Sequence, residues 1–443
     1  WNGSLSGANF AGTGSISGLT INDIANLNGL TIGKTNSTSD VTISSATNIA
    51  GPISVYGGVI TINENLTSTA ANAPIVLKGT GNLSIAASKT LQTNNGNIIL
   101  WADSDNSAEG NILVSNSTSF NTANGSTSLD LSGGGNIVLA GGLDDGSNGG
   151  ISSDGYPDGF ARSSTKSGVE LNTDNTGSVS FYSGGGDVII NGYSTNNSVD
   201  ANENNGINQF GGLLINVGTG SIRMLGEGLN GYGINFNQEA TAESLELELI
   251  SAATTGDAIY INAVSNASLG LVFNYSSFKE LKATNGGNIS LNGTGGSGNA
   301  GIFAQTLSVL ANTGDIVLNG GTNGIFNKNT GNTYGAKAGT AITASSSDII
   351  FRGNSISVEA GGSATTFTTS GTVSLEPSGD DFGNTLTFPI SNLTLDNTVS
   401  GLTIGKAASA DGTTDANVTI TGATDIAGLI TVYGGDITLN ENI

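Results

Sequence analysis

The chain has 443 residues, 36% of them hydrophobic, with 69 Gly, 5 Pro, no Cys and no His; 12 Lys and Arg stand against 35 Asp and Glu, for a net charge of −23. So few cations exclude nucleic acid as a partner, because phosphate binding depends on clustered Lys and Arg, and they disfavour anionic membrane surfaces for the same reason. Without Cys, neither disulfides nor thiolate metal sites hold the fold, and without His, acid–base chemistry at neutral pH falls to carboxylates, Tyr or Lys.

Gly, Asn, Ser and Thr at this abundance would suggest disorder, but the hydrophobic residues fall in short alternating runs. The first runs belong to a repeated paragraph. Gly29-Leu-Thr-Ile-Gly-Lys34 returns as Gly401-Leu-Thr-Ile-Gly-Lys406 at an offset of 372. Ile53-Ser-Val-Tyr-Gly-Gly-Val-Ile-Thr-Ile-Asn-Glu-Asn65 returns as Ile430-Thr-Val-Tyr-Gly-Gly-Asp-Ile-Thr-Leu-Asn-Glu-Asn442 at an offset of 377, and residues 44–66 and 421–443 agree at 15 of 23 positions. The five extra residues, around Asp411, mark a loop. Copy one spans 29–66 and copy two 401–443, so residues 1–443 are expected to be one continuous fragment of a longer tandem array. Any export signal or anchor is expected outside it, since no apolar run approaches the roughly 20 residues needed to span a bilayer. The lack of Cys is compatible with bacterial export. Ile62 becomes Leu439, as a buried position allows, whereas Val59 becomes Asp436, which fits only an exposed one.

From residue 81 onward one phrase recurs: Gly, a small polar residue, then aliphatic, any, aliphatic. It appears as Gly81-Asn-Leu-Ser-Ile85, Gly96-Asn-Ile-Ile-Leu100, Gly135-Asn-Ile-Val-Leu139, Gly186-Asp-Val-Ile-Ile190, Gly287-Asn-Ile-Ser-Leu291 and Gly314-Asp-Ile-Val-Leu318. Gly supplies a corner, Asn or Asp bonds the neighbouring backbone, and a strand follows. The best helical candidate, Ala240–Ile250, carries Leu245, Leu247 and Leu249 at strand spacing instead. Strands this short, at irregular intervals, fit neither propeller nor sandwich; stacked as coils they bury their apolar side against neighbours while insertions bulge outward. The predicted fold is all-β, a right-handed parallel β-helix solenoid with inserted loops, its hand following from the crossover rule. Corner Asn and Ser are expected to form ladders up the stack. At about 20–25 residues per coil and ~4.8 Å rise, the rod would reach on the order of 90 Å.

Two loops interrupt the rhythm with acid. Asp103, Asp105 and Glu109 fall within seven residues, and Asp144, Asp145, Asp154 and Asp158 within a Gly-rich stretch. Hard oxygen ligands on flexible loops suit Ca²⁺, although neither loop has the EF-hand spacing; solvated turns on an acidic surface are the alternative, and no other cofactor is indicated. Tyr56, Trp101, Tyr182 and Tyr433 each follow an inward apolar residue and so should face outward, available to stack on a glycan or a protein, or else packed beneath loops. Trp101, directly before the first acidic loop, is the best contact candidate. Asp187, Asp315 and Asp436 occupy the corner position that Asn82, Asn97, Asn136 and Asn288 occupy elsewhere, so they act as corners and not as catalytic acids.

The Gly-Asn-Ile-x-Leu phrases, turns such as Asn205-Gly-Ile-Asn and Asn323-Gly-Ile-Phe, and the scarcity of Lys, Arg and Cys resemble the filamentous haemagglutinin type of giant repetitive bacterial adhesin. That resemblance implies a structural and adhesive rod segment on a bacterial surface or in the extracellular space. It would mediate attachment to a glycan or protein on another cell, or to further copies of itself, without inserting into a membrane. The loops around 141–170 and 193–212 would be its contact surfaces. The rivals are a self-assembling filament or sheath subunit and, behind it, a β-helical polysaccharide-degrading enzyme with carboxylates clustered on one face.

Overall fold

The computed structural model describes residues 27–128, 131–173, 176–196, 204–237, 247–274, 279–304, 307–325, 341–357, 365–407 and 416–441. The insertion around Asp411, the last two residues of copy two and the first part of Ala240–Ile250 lie outside these; Leu247–Ser251 is a strand. By contacts the chain divides into two compact units, Trp1–Gly226 and Glu227–Ile443.

In the first unit, period-two alternation of Ile, Leu and Val yields short strands that return every third element to the same sheet. The first face stacks Leu30–Ile32, Ile53–Gly57, Ile75–Gly79, Ile98–Ala102, Ile137–Gly141 and Val188–Ser194, every pair parallel. Val41–Ile43, Ile60–Ile62, Leu83–Ile85, Ile112–Val114 and Val169–Leu171 build the second face. Thr47–Ile49, Leu66–Ala71, Thr90–Asn94, Ser119–Asn121 and Ser178–Tyr182 build the third. The second unit repeats the plan, with Asp257–Ser265, Asn288–Thr294, Ile316–Asn319, Ile349–Arg352, Thr372–Glu376 and Gly401–Ile404 on its first face. The architecture is a parallel β-helix solenoid with inserted loops, as the alternation predicts, and its sheets do not close into a barrel.

Coil length keeps to the expected value of about 20–25 residues where nothing is inserted and grows where a loop leaves the coil. The partners Leu30, Ile53, Ile75 and Ile98 lie 23, 22 and 23 residues apart, but Ile98 to Ile137 takes 39 and Ile137 to Val188 takes 51. The register of the sheet is unchanged because the extra residues leave at corners, where a loop disturbs no ladder.

The interior is a set of aliphatic columns with stacked rings, such as Phe120 on Phe181 at 4.8 Å between centroids and Phe236 on Phe273 at 5.0 Å. Each fully buried Ile, Leu or Phe contributes about 2 kcal/mol. At the corners, Asn97 Oδ1 accepts the Asn136 amide at 2.9 Å, Asn136 Oδ1 that of Asp187 at 2.9 Å, and Asp187 Oδ1 that of Ser221 at 2.7 Å. Asn288, Asp315 and Asp348 pass the same bond onward to Asp315, Asp348 and Thr372 at 2.9, 3.1 and 2.8 Å. One acceptor oxygen suffices, which is why Asn and Asp interchange there.

The two repeat copies adopt the same pairing. Leu30 meets Ile53 and Ile32 meets Val55; Leu402 meets Ile430 and Ile404 meets Val432. Asp40 Oδ1 accepts the Val59 amide at 2.9 Å, and its counterpart Asn417 accepts that of Asp436 at 2.8 Å. Gly33 (φ 78°) and Gly405 (φ 84°) both need the left-handed region, and a β-carbon would lie 2.1 Å from the Tyr56 carbonyl oxygen or 2.2 Å from that of Tyr433. Coverage differs between them. Ile60 and Ile62, sandwiched between Val41–Ile43 and Leu83–Ile85, are 0% exposed, whereas Ile437 and Leu439, paired to Val418–Ile420, are 45% and 54% exposed. A coil's burial is supplied by its neighbours.

Candidate contact surface

The outward side of the first face carries a second small core. Ile99 and Val138 face away from the interior, as neighbours in register, and are buried with Trp101 and Ala140; Val76, Tyr156 and Ile189 pack on them. The loop after Ile137–Gly141 folds back over these side chains. Trp101 points outward as alternation requires, yet it is only 7% exposed. Its Nε1 donates to Gly142 O at 2.8 Å, and Lys78 Nζ lies 3.2 Å from the ring centroid. Trp101 is therefore a seat for the inserted loop and offers no open ring face to a partner. Desolvation pulls the Lys78 pKa down from its ordinary value, and Asp144 on the loop pulls it partly back. Asn97 Nδ2 and Asn136 Nδ2 donate to the Tyr156 hydroxyl at 2.7 and 3.4 Å, fastening the far end of the loop. Burial raises the Tyr156 pKa.

The acidic residues of that loop are engaged with its own backbone. Asp144 Oδ1 accepts the amides of Ser153 at 2.5 Å and Asp154 at 3.2 Å, and Oδ2 accepts that of Gly155 at 2.9 Å. Asp145 Oδ1 accepts from Ser147 N at 3.0 Å, and hydrogen bonding to Ser147 lowers its pKa. Asp154 accepts from Tyr156 N at 3.0 Å, and Asp158, 5% exposed, from Gly146 N at 2.6 Å.

The shorter acidic loop behaves alike. Asp103 is buried with φ 47°, its Oδ1 accepting from Ala108 N at 3.0 Å and Ser107 Oγ at 3.2 Å. Desolvation raises its pKa, opposed by Ser107 and by Arg162. Asp105 accepts from Ser107 N and Glu109 from Ser164 N, both at 3.4 Å. Gly110 and Arg162 exchange backbone hydrogen bonds of 2.7 and 2.9 Å, joining the two loops. Among the described residues, no three Asp or Glu converge where they could hold one metal ion.

The other three rings lie apart. Tyr56 shares a row with Lys78, and Tyr182 with Asn121 and Asn216; both are half-buried. Tyr433 is 39% exposed and lines a shallow crevice with Pro377, Asp380 and Lys406. The sequence reading missed the outer core, although its signal was present: Ile98-Ile-Leu-Trp-Ala and Ile137-Val-Leu-Ala are unbroken apolar runs, the mark of strands covered on both sides. Among the described residues no helix is long and apolar enough to cross a membrane. Compared with known proteins, the chain matches no protein family, no curated sequence and no solved structure.

Proposed function

We propose that this chain is a structural and attachment segment of an extracellular or cell-surface bacterial rod, of the filamentous haemagglutinin-like kind. The observation that carries this reading is the shared register of the two repeat copies. One period returns the chain to the same position on the coil, with the same interior columns and the same corner bond, so such units can be reiterated by stacking alone. The inserted loop over 143–158 supports a contact role, because it is held in shape by its own hydrogen bonds and a preordered loop loses little entropy on binding. Corner Asp side chains spent on backbone amides favour a scaffold over the polysaccharide enzyme.

Beads coated with the whole chain are expected to adhere to cells or to immobilised glycans more than beads coated with a neutral unrelated protein. Electron microscopy of the same material separates the filament reading. Single rods that adhere support attachment; laterally packed fibres with no adhesion would replace this reading with the assembly one.

A further inference from the structure

In the unit Glu227–Ile443 the second face is interrupted between two neighbouring coils. On one side, Ile302 bridges to Ile325 and Ile325 to Ile356; on the other, Leu386–Phe388 opens a new sheet with Val418–Ile420. The same two coils pair normally elsewhere, Ile349–Arg352 with Thr372–Glu376 and Thr365–Thr368 with Leu393–Leu395. The break opens a cleft of about 390 Å³, with Asn354–Ser357 on one wall and Thr385–Thr387 on the other. Core residues show through it. Ile356, Phe382, Leu386 and Ile390 keep 6–8% exposure, where Leu83 and Ile112 of the uninterrupted second face have 0%.

Both walls are strand edges. Ile325 N donates to Ser355 O at 3.0 Å and Ser357 N to Ile325 O at 3.4 Å, so Ser355 and Ser357 turn toward the preceding coil. By the alternation of a parallel strand, Ile356 turns its N–H and C=O into the cleft, and neither has a backbone partner among the described residues. Leu386 N donates to Asn417 O at 2.9 Å and Phe388 O accepts from Thr421 N at 2.8 Å, which leaves Thr387 facing the cleft from the opposite wall. None of the described lining residues is charged, in a chain of net charge −23.

We propose that this cleft binds an extended, uncharged peptide segment, which pairs as an added strand with Ile356 on one side and Thr387 on the other and turns an aliphatic side chain toward Ile356, Leu386 and Ile390. Such a strand continues the ladders of both flanking sheets, the mode of recognition in which main-chain bonds give affinity and alternate side chains give selectivity. A charged segment would be desolvated against described lining residues that offer no counter-charge. A sugar would bring hydroxyls without the alternating N–H and C=O row that the edges present. The cleft rests on the sheet's own hydrogen bonds and holds whether or not the rod is adhesive.

The probe is acetyl-Gly-Asn-Ile-Ser-Leu-Asn-Gly-amide, the chain's own phrase at 287–293, titrated calorimetrically into the whole chain, with amide exchange followed over 354–357 and 385–388. Saturable binding should slow exchange at Ile356 and Thr387, and N-methylation of the peptide's central amides should weaken it by about tenfold or more. Thr387→Pro removes the donor facing the cleft, together with an exposed hydroxyl, and should weaken binding similarly at an unchanged melting temperature. If that variant fails to fold, the N-methylated peptide on the native chain decides. The proposal is overturned by absence of saturable binding, by equal affinity of the N-methylated peptide, by protection confined to other segments, or by a neutral cello-oligosaccharide that binds there and displaces the peptide.

Discussion

Lys279 should make this protein more stable in mild alkali than at neutrality. The side chain is 0% exposed and sits in the interior column of the third face, in register between Leu247 and Leu307. Burial lowers its pKa from 10.5 to about 7. In the unfolded chain it returns to the ordinary value, so between these two pH values the unfolded state binds more protons than the folded one, and stability rises with pH. The cost of the buried ammonium is fully present below about pH 7 and is relieved toward 10.5. At about 1.4 kcal/mol per pKa unit the full difference sets a ceiling near 5 kcal/mol. The window is unusually clean, because the chain contains no His and no Cys. Lys78 shifts the same way but is half-buried and adds less; Tyr156 and Tyr232 are shifted upward by burial and act beyond this range. Denaturant midpoints between about pH 7 and pH 9.5 should rise by an amount worth a few kcal/mol. Lys279→Met, similar in length and without charge, should raise the midpoint at pH 7 and abolish the slope. A native midpoint that is flat over this range, or the same slope in the variant, would refute the reasoning.

Ile60→Asp buries a charge between Val41 and Leu83 and should destabilise by several kcal/mol in a thermal or urea melt. Val59→Asp, at a position 37% exposed, should cost about 0.5 kcal/mol or less, and Asp40→Asn should recover most of it in a double-mutant cycle. Gly33→Ala drives a β-carbon against the Tyr56 carbonyl and should cost on the order of 3 kcal/mol, whereas Gly155→Ala, also at positive φ (92°) but with nothing within 4 Å, should cost about 1. Trp101→Ala should cost on the order of 3 kcal/mol and expose 143–156 to limited proteolysis, with Trp101→Phe intermediate; unchanged protease resistance would show that the ring does not seat the loop. Chelation is expected to leave the melting temperature unmoved, since both Asp144 oxygens already accept backbone amides; a fall reversed by millimolar Ca²⁺ and lost in Asp144→Asn would show a bound ion.

The coil stack was legible because alternation and corner phrases are local. Ile53, Val55, Ile60 and Ile62 announce inward positions without reference to anything distant, and they are buried as inward residues should be. The Asn–Asp exchange was legible for the same reason. What could not be seen depends on where an insertion goes. Nothing local to Trp101 says that residues forty positions later fold over it, so of the two readings of the outward rings, open contact or packing beneath a loop, the sequence could not assign Trp101 to the second. Lys279-Glu-Leu-Lys-Ala283 has the alternation of a strand, with a Lys at an inward place, and nothing local to it says that the neighbouring coils bury that side chain. The split of the second face was invisible because Ser355-Ile-Ser357 and Leu386-Thr-Phe388 are ordinary strand phrases, and their failure to meet is a property of the intervening corner.

The corner ladders also account for how so acidic a chain keeps its sheets in register. An Asp there gives one oxygen to the next coil's amide, a bond worth about 1 kcal/mol, and can keep the other in water. Two such carboxylates on successive coils, about 4.8 Å apart, repel by roughly 1 kcal/mol even at the dielectric of water. Gain and cost nearly cancel, so an unbroken column of Asp would hold nothing. The two ladders run Asn97, Asn136, Asp187, Ser221 and Asn288, Asp315, Asp348, Thr372, with at most two carboxylates in succession. The repeat copies obey the same limit. Where copy one has Asp40 beneath Val59, copy two has Asn417 beneath Asp436: the acid moves up one coil and an amide takes its place. Negative charge is thus spread along the corners without weakening the ladder, and it opposes the edge-to-edge association to which parallel strands are otherwise prone.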